Sequence, residues 1–237
     1  ATHRRRYEEG LEFLDRAQPL AEAVGNWGAL WNMLLLRREV YLQQGHPERM
    51  FPVYDTMLAM SRRAGNYRLE VWTLSWDSIY ALRYHSTERA LFKRQAAAVV
   101  AEEFGLAYDR AWNTWEIGEI YRVRGDWSAA QQWYASARPL FEANKDPMGL
   151  AFCRRAQGEL ELHHATTAAN AERAAAHLAA AAAHFQAYLE WTLDARNTWS
   201  RVFALCGLGR VALAGGDHDA ARERFHEALV LTRASGR

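Results

Sequence analysis

The sequence Val24-Gly25-Asn26 returns as Ala64-Gly65-Asn66 and again as Phe104-Gly105-Leu106, so that glycines stand at positions 25, 65 and 105. A second series places glycines at positions 45 and 125, with His85 at the midpoint between them. A fixed period, here about 40 residues, is typical of stacked structural units that each pack on their neighbours. The glycines therefore predict a repeat solenoid, and solenoids mostly bind other molecules rather than transform them.

Each repeat is predicted to be two antiparallel helices joined by a tight turn. The chain has only five prolines, and apolar residues recur at helical spacing, as Met50, Tyr54 and Met57 do. Glycine suits the turns because the left-handed conformation that reverses the chain costs it little. The period predicts eleven helices, at about 5–24, 27–44, 47–64, 67–84, 87–104, 107–124, 127–144, 147–164, 171–190, 197–214 and 218–234.

One insertion interrupts the period. The segment Ala165–Ala176 holds about eleven residues more than the repeat requires, and its alanine-rich continuation to Ala183 favours extra helix over a loop. The predicted domain organisation is a single array with a partial first repeat and one enlarged repeat. Its parts are 1–25, 26–65, 66–105, 106–145, 146–196 with the insertion near 165–176, and 197–237.

Composition and charge exclude several classes of protein. The formal net charge of +1 gives no overall attraction to nucleic acid or to an anionic membrane. Cys153 and Cys206 lack the spacing of a disulfide framework or a zinc site, which favours a reducing, cytoplasmic setting. No apolar run approaches the ~18 residues of a membrane span, and no secretory leader is recognisable. Because Ala1 replaces an initiator methionine, we expect a piece of a longer polypeptide, although methionine removal before alanine would look the same.

Two repeats carry a more specific pattern of small and aromatic residues. The pattern consists of Ile117-Gly118, Tyr121, Gly125-Asp126, Ala130, Tyr134 and Ala137, and of Leu208-Gly209, Gly216-Asp217, Ala221, Phe225 and Ala228. It resembles the tetratricopeptide repeat (TPR), in which small residues let paired helices approach and a large aromatic side chain fills the gap beside them. Earlier repeats depart from it, with Arg38 at the glycine position, Met50 at a small position, His85 at the turn glycine and Arg94 at the aromatic position.

The resemblance implies an all-α fold, a right-handed superhelical solenoid of antiparallel helix pairs. The period of this chain is longer than the roughly 34 residues usual in the family. Arrays with longer helices are similar to the sensor regions of bacterial STAND ATPases and of large LuxR-type regulators such as the maltose activator. The resemblance thus implies a non-catalytic module that binds a protein segment or senses an effector. Any ATPase or DNA-binding part would lie outside these residues.

In the family that the chain resembles, the first helices of successive repeats line a concave groove. One repeat position read down the array therefore gives a ladder of side chains, which here is rich in aromatic residues with charged residues nearby. This predicts a groove for a peptide with basic residues or for a flat, partly apolar effector. The predicted groove residues are Trp72, Trp112, Trp115, Glu119, Phe152, Arg155, Glu159, Phe203 and Arg210. The alternative is that the aromatic side chains pack on the preceding helix and only stabilise the stack.

Neither metal binding nor catalysis is expected. His163 and His164 precede the insertion while His177 and His184 follow it, but no carboxylate or cysteine completes a ligand set at a recognisable spacing. The sequence also lacks a P-loop, a nucleophile elbow, an HExxH pair and a dinucleotide-binding turn. We therefore expect no enzyme activity, no cofactor and no metal.

Two other functions stay open. The array can be an architectural spacer that couples flanking domains, or it can self-associate through ends that carry no polar cap. The residues without such a cap are Tyr7, Leu11 and Leu14 at one end and Phe225 and Leu229 at the other. Stacked tryptophans and arginines also allow single-stranded nucleic acid to bind, which the near-neutral charge disfavours.

Overall fold

The structure of the chain, a computed structural model, describes residues 2–194 and 197–234. Within these ranges the chain forms eleven α-helices and no strand, which confirms the predicted all-α helical repeat fold. The helices are α1 (Thr2–Ala23), α2 (Trp27–Gln43), α3 (Met50–Arg63), α4 (Tyr67–Tyr84), α5 (Thr87–Glu103), α6 (Ala107–Val123), α7 (Trp127–Ala143), α8 (Pro147–Thr166), α9 (Ala171–Asp194), α10 (Thr198–Ala214) and α11 (His218–Ala234). None of the helices in this described part of the chain has the length and apolar composition needed to cross a membrane.

Contacts between helices divide the chain into two compact units, Ala1–Asp126 and Trp127–Arg237. The first unit contains α1 to α6 and the second contains α7 to α11. In each unit, helices that follow one another in sequence pack as antiparallel neighbours, most extensively α4 on α5, α8 on α9 and α10 on α11.

The core of the first unit lies mainly between α2, α3 and α4, where Leu34, Tyr54 and Met57 are buried. A second cluster between α4 and α5 is built on Val71 and Ala97. Alanine at a helix contact lets the two backbones approach closely, so small residues set the spacing of these pairs.

The core of the second unit is built around two buried aromatic residues of α9. Tyr188 packs with Leu205 of α10, and Phe185 packs with Leu162 of α8 and Val211 of α10. The TPR-like small residues behave as the resemblance implies. A Cβ added to Gly209 would come within 2.7 Å of the Phe225 ring, so this glycine allows the aromatic side chain to sit against α10.

The turn glycines of the repeat adopt the left-handed conformation. At the end of α1, Gly25 N–H donates to Glu22 at 3.1 Å and Asn26 N–H to Ala21 at 2.9 Å, which satisfies carbonyls that the helix end leaves open. Positive φ between 61° and 83° occurs at Gly25, Gly45, Gly65, Gly105, Gly125 and Gly216.

At two positions where the 40-residue period predicts a turn glycine, the chain has another residue. The two turns differ in conformation. Lys145, one period after Gly105, still adopts the left-handed conformation, with φ of 52°. His85 instead has φ of −132°, and the extended Ser86 follows at once and caps α5 through the Arg89 N–H at 3.1 Å. The α4–α5 turn is therefore shorter than the glycine turns.

The third helix begins later than the period predicts. Pro47–Arg49 form a 3₁₀ turn, and the α-helix starts at Met50 instead of residue 47. Pro52 explains the delay because its ring would clash with the carbonyl four residues earlier if the α-helix began at residue 47. In the observed arrangement Pro52 lies in the first turn, where no intrahelical N–H is needed.

The inserted residues lengthen two helices, as their alanine content predicted. The paired helices α8 and α9 have 20 and 24 residues, whereas α5, α6 and α7 have 17 each. Only residues 167–170 separate α8 from α9, so the insertion extends the pair and adds no long loop.

Candidate functional site

A row of aromatic residues runs along α4 in the first unit. Trp72, Trp76, Tyr80 and Tyr84 follow one another at four-residue spacing, which places them on one slowly winding face of the helix. Neighbouring rings stack, with centroids 6.3 Å apart for Trp76 and Tyr80 and 6.2 Å apart for Tyr80 and Tyr84. The exposed fractions of Trp72 and Trp76 are 43% and 42%. These four residues are called the α4 aromatic row below.

Side chains of α2 extend this surface on one side. The Trp31 ring lies 6.4 Å from that of Trp72, and the Arg38 guanidinium lies 5.5 Å from the Trp76 ring and 5.3 Å from the Tyr80 ring. Burial opposes the charge of Arg38, but Tyr54 and Tyr80 outweigh that effect and raise its pKa. Arg38, which departs from the TPR glycine, thus holds a permanent positive charge against the aromatic row.

Side chains of α6 bound the surface on the other side. Trp72 Nε1 donates to Asp109 Oδ1 at 3.0 Å, and Ser75 Oγ donates to Asn113 Oδ1 at 2.8 Å. Asn113 Oδ1 also accepts from the buried Arg94 at 2.9 Å. Two side chains of the aromatic-row helix are therefore held in place by bonds to the adjacent helix.

Arg94 replaces the large aromatic residue of the TPR pattern, and it does so as a buried cation. Its second terminal nitrogen donates to the Ser75 carbonyl at 3.1 Å, and the Glu116 carboxylate lies 3.9 Å away. Burial lowers the pKa of Arg94, an effect that Glu116 opposes. A polar network thus fills a position that an apolar ring occupies elsewhere in the array.

The other residues predicted for the groove in this unit differ in exposure. Trp112 is half-buried, whereas Trp115 is 3% exposed and belongs to the core. Glu119 pairs with Arg122 on its own helix at 3.1 Å. Trp115 therefore offers no surface to a ligand, and it shares its buried helix face with Ala111, one turn earlier.

The ladder predicted from one repeat position does not include Trp31, Trp76 or Tyr80. The signal that identifies them is the four-residue spacing within α4 itself, from Trp72 to Tyr84. Such a spacing is visible in the sequence, but only the structure places α2 and α6 beside it.

The predicted groove residues of the second unit form two small clusters. The Arg155 guanidinium lies between two rings, 5.5 Å from Phe152 and 5.8 Å from Phe203. Arg210 donates to Glu159 at 2.9 Å. Phe203 is 52% exposed, whereas Arg155 and Glu159 are buried. Among these predicted residues, the exposed Phe203 ring is therefore backed by the buried Arg155 cation.

The turn between α8 and α9 brings together two histidines and a carboxylate. Glu161 Oε2 lies 2.6 Å from His177 Nδ1, and the His164 ring is 5.4 Å from that of His177. Each of the three residues offers one atom that could bind a metal, and these three atoms all lie within 4.8 Å of one another. The sequence spacing did not reveal Glu161 as the carboxylate that completes this set.

Two of these residues also line a cavity of about 230 Å³ in the second unit. Glu161 and His164 share its wall with Cys153 and His184. His163 points elsewhere, since its ring stacks on Trp127 at 4.3 Å, and burial together with His164 lowers its pKa.

No protein-family model matches the chain, and no curated protein sequence is similar to it. Solved structures do share the fold. The crystal structure of BtubC (BKLC) from P. vanneervenii aligns with a TM-score of 0.69 at 18% identity, covering 100% of this chain and 93% of that chain. The apo form of RapI aligns with a TM-score of 0.64 at 8% identity, covering 98% and 79%.

A third similar structure contains nearly identical TPR-like repeats, from a P. anserina protein described as a kinesin light chain. It aligns with a TM-score of 0.54 at 11% identity, covering 83% of this chain and 91% of that chain. These identities are low, so the likeness concerns the fold alone. The chain has the fold of a TPR-like helical repeat protein.

Proposed function

We propose that the chain is a non-catalytic protein-interaction module whose first unit binds a peptide segment along the α4 aromatic row. The observation that carries the proposal is the exposure of Trp72 and Trp76 on a surface that hydrogen bonds and an Arg38 cation–π contact hold in place. Rigid, exposed aromatic side chains give contact area at little cost in conformational entropy, and they dominate the energetics of many interfaces.

The dimensions of the row suit an extended peptide. Tyr84 lies twelve positions after Trp72 on the helix, which corresponds to about 18 Å at a rise of 1.5 Å per residue. An extended chain covers that distance with about five or six residues. Helical repeat proteins use such surfaces for proteins and peptides, and a flat effector that covers two rings is the smaller occupant that the same surface accepts.

The charges beside the row favour basic side chains in the peptide. Asp109 lies at the Trp72 end, where it accepts from the indole, and the Glu39 carboxylate lies 3.1 Å from the Arg38 guanidinium, whose positive charge it offsets. Exposed aromatic faces also attract Lys and Arg directly. We therefore expect a peptide that combines aromatic or aliphatic residues with at least one Lys or Arg.

Selection from a library of short random peptides tests the proposal. Peptides selected on the full chain should be rich in Lys or Arg and in apolar residues. Trp76→Ala should weaken their binding by about 2 kcal/mol, roughly 30-fold in Kd. Phe92→Ala is the matched control because Phe92 is an exposed ring on a different helix, α5, and is not one of the residues of the row. Equal binding to both variants would place the interaction elsewhere.

The wider setting that we propose is a bacterial signalling or transcription-regulating protein in the cytoplasm. The support is the likeness of the long-period array to sensor regions of STAND ATPases and large LuxR-type regulators. In that setting the peptide would belong to a partner protein or to a flanking domain. Its binding would change the position of the other domains relative to the array.

The second candidate function is an architectural array that self-associates. Helix α1 favours it, because Phe13 and Leu20 on this helix, and Val24 directly after it, are exposed large apolar residues. Sedimentation at several concentrations tests the idea. A dimer that Leu20→Glu dissociates would support self-association through α1, whereas a monomer at all concentrations would exclude it.

A further inference from the structure

We propose that Glu161, His164 and His177 form a binding site for a divalent transition metal, with Zn²⁺ the cation that fits the donors best. Two imidazole nitrogens and one carboxylate are a frequent zinc ligand set, and the same set serves other first-row metals. The site lies within the second unit, apart from the α4 aromatic row, so it does not depend on the function proposed for the first unit.

The three side chains project from two helices, α8 and α9, that pack against each other. Glu161 and His164 are three residues apart and therefore lie on one face of α8. His177 faces them from α9, which packs closely along α8 through the buried residues Leu162 and Phe185. Metal ligands on packed helices hold their geometry better than ligands on loops.

The distances between the three ligand atoms are close to those of a tetrahedral zinc site, so binding requires only a small movement of the side chains. In a tetrahedral zinc site with metal–ligand bonds of about 2.0–2.1 Å, neighbouring ligand atoms lie about 3.3 Å apart. The Glu161 and His177 atoms now lie 2.6 Å apart, within hydrogen-bonding distance, and the three ligand atoms are all within 4.8 Å of one another. Binding of Zn²⁺ would replace the Glu161–His177 hydrogen bond with two metal–ligand bonds and draw the His164 nitrogen inward.

The cavity provides access for the metal and room for a fourth ligand. Glu161 and His164 line its wall, and all three ligand residues are partly exposed. A site with three protein ligands keeps one position for water or for another side chain.

Titration of the metal-free full chain with ZnCl₂ in a calorimeter tests the proposal, and CoCl₂ provides an independent spectroscopic probe. We expect one binding event and the visible absorption of tetrahedral Co²⁺. Glu161→Gln, His164→Ala and His177→Ala should each weaken binding at least tenfold. His226→Ala is the matched control, since His226 is exposed on α11 and should leave the titration unchanged.

Circular dichroism of each variant verifies that it folds. Absence of heat and of Co²⁺ absorption, or binding that survives His177→Ala in a folded variant, would overturn the proposal. Binding that His226→Ala weakens as much as His177→Ala does would also overturn it, because the metal would then bind scattered surface histidines. Peptide binding to the α4 aromatic row is measured separately, so either proposal can fail while the other stands.

Discussion

Gly149 lies directly against the face of the Phe141 ring, so close that a Cβ on residue 149 would stand 2.0 Å from the ring atom Cδ1. Phe141 is fully buried near the end of α7, and Gly149 lies in the first turn of α8. The absence of a side chain at residue 149 therefore sets how closely these two helices approach.

Gly149→Ala should destabilise the protein by about 1–3 kcal/mol. The added methyl group forces the ring or the helix to move, and this outweighs the gain of up to ~1 kcal/mol that alanine brings to a helix. Gly10→Ala is the control because Gly10 also lies in a helix but has no neighbour within 4 Å. Urea unfolding should show a lower midpoint for the first variant and an equal or higher midpoint for the second. A stabilised Gly149→Ala protein would contradict the close packing.

Lys145→Gly should stabilise the protein by about 0.5–1 kcal/mol. Lys145 has φ of 52°, which costs an L-residue about 1–2 kcal/mol, and glycine avoids this cost while it gains some freedom in the unfolded chain. Thermal unfolding measures the gain. Lys145→Ala is the informative comparison, since it removes the side chain but keeps the strain and should give no such gain.

The turns show which parts of the fold the sequence predicts well. A glycine at a helix end adopts the left-handed conformation at little cost. The periodic glycines therefore predicted the turns at their positions correctly. Lys145 and His85 interrupt the rhythm, and the sequence does not reveal that one keeps the left-handed turn while the other shortens it. That choice depends on how the flanking helices pack.

Sites that join two helices were harder to predict. Glu161 and His177 are 16 residues apart, and only the register of α8 against α9, which the insertion sets, brings them together. Arg94 is similar, because its buried partners lie on α4 and α6. Local spacing predicts which face a residue occupies, but it does not predict what faces it across the helix pair.

Asp77→Asn should destabilise the first unit by about 3 kcal/mol. The Asp77 carboxylate is 1% exposed and accepts two bonds from Arg89, at 3.0 and 2.9 Å, while Lys93 Nζ lies 2.8 Å away. Removal of its charge leaves two largely buried cations with less compensation. The free energy of unfolding from urea titrations measures the loss.

Asp55→Asn is the matched control for Asp77→Asn. Asp55 faces the same two cations, at 3.8 Å from Arg89 and 3.5 Å from Lys93, but its side chain is 61% exposed. Solvent screens such a pair, so the variant should lose less than about 1 kcal/mol. Equal losses for the two variants would mean that burial does not decide the strength of the network.

Cys153 should be far less reactive than Cys206 toward iodoacetamide at pH 8 in EDTA. Burial raises the pKa of the Cys153 thiol to about 12, and it raises that of the half-buried Cys206 as well. In a Cys206→Ser variant, Cys153 should react roughly 10²–10³-fold more slowly in the folded protein than in urea, because its thiolate fraction is that much smaller. Equal rates would show that Cys153 is not shielded.

The same pKa predicts a change of stability with pH. The folded protein retains the Cys153 proton that the unfolded chain loses near its ordinary pKa of about 8.5. The corresponding stability is fully present below that pH, and it is lost as the pH rises toward the folded pKa of about 12. Cys153→Ala should therefore reduce the slope of unfolding free energy against pH in this alkaline window, whereas Cys206→Ala should reduce it less.

Trp115→Ala should mainly lower the free energy of unfolding, whereas Trp72→Ala should mainly weaken peptide binding. Trp115 is 3% exposed, so its truncation should cost about 3–5 kcal/mol of unfolding free energy. Trp72 is 43% exposed and makes one side-chain hydrogen bond, to Asp109, so its truncation should cost about 1 kcal/mol while it weakens binding of the selected peptides. Urea unfolding followed by circular dichroism measures the first quantity, and a Kd for one selected peptide measures the second. A folded Trp115→Ala protein that loses less than about 1 kcal/mol, or a Trp72→Ala protein that binds the peptide normally, would reverse the roles assigned to these two tryptophans.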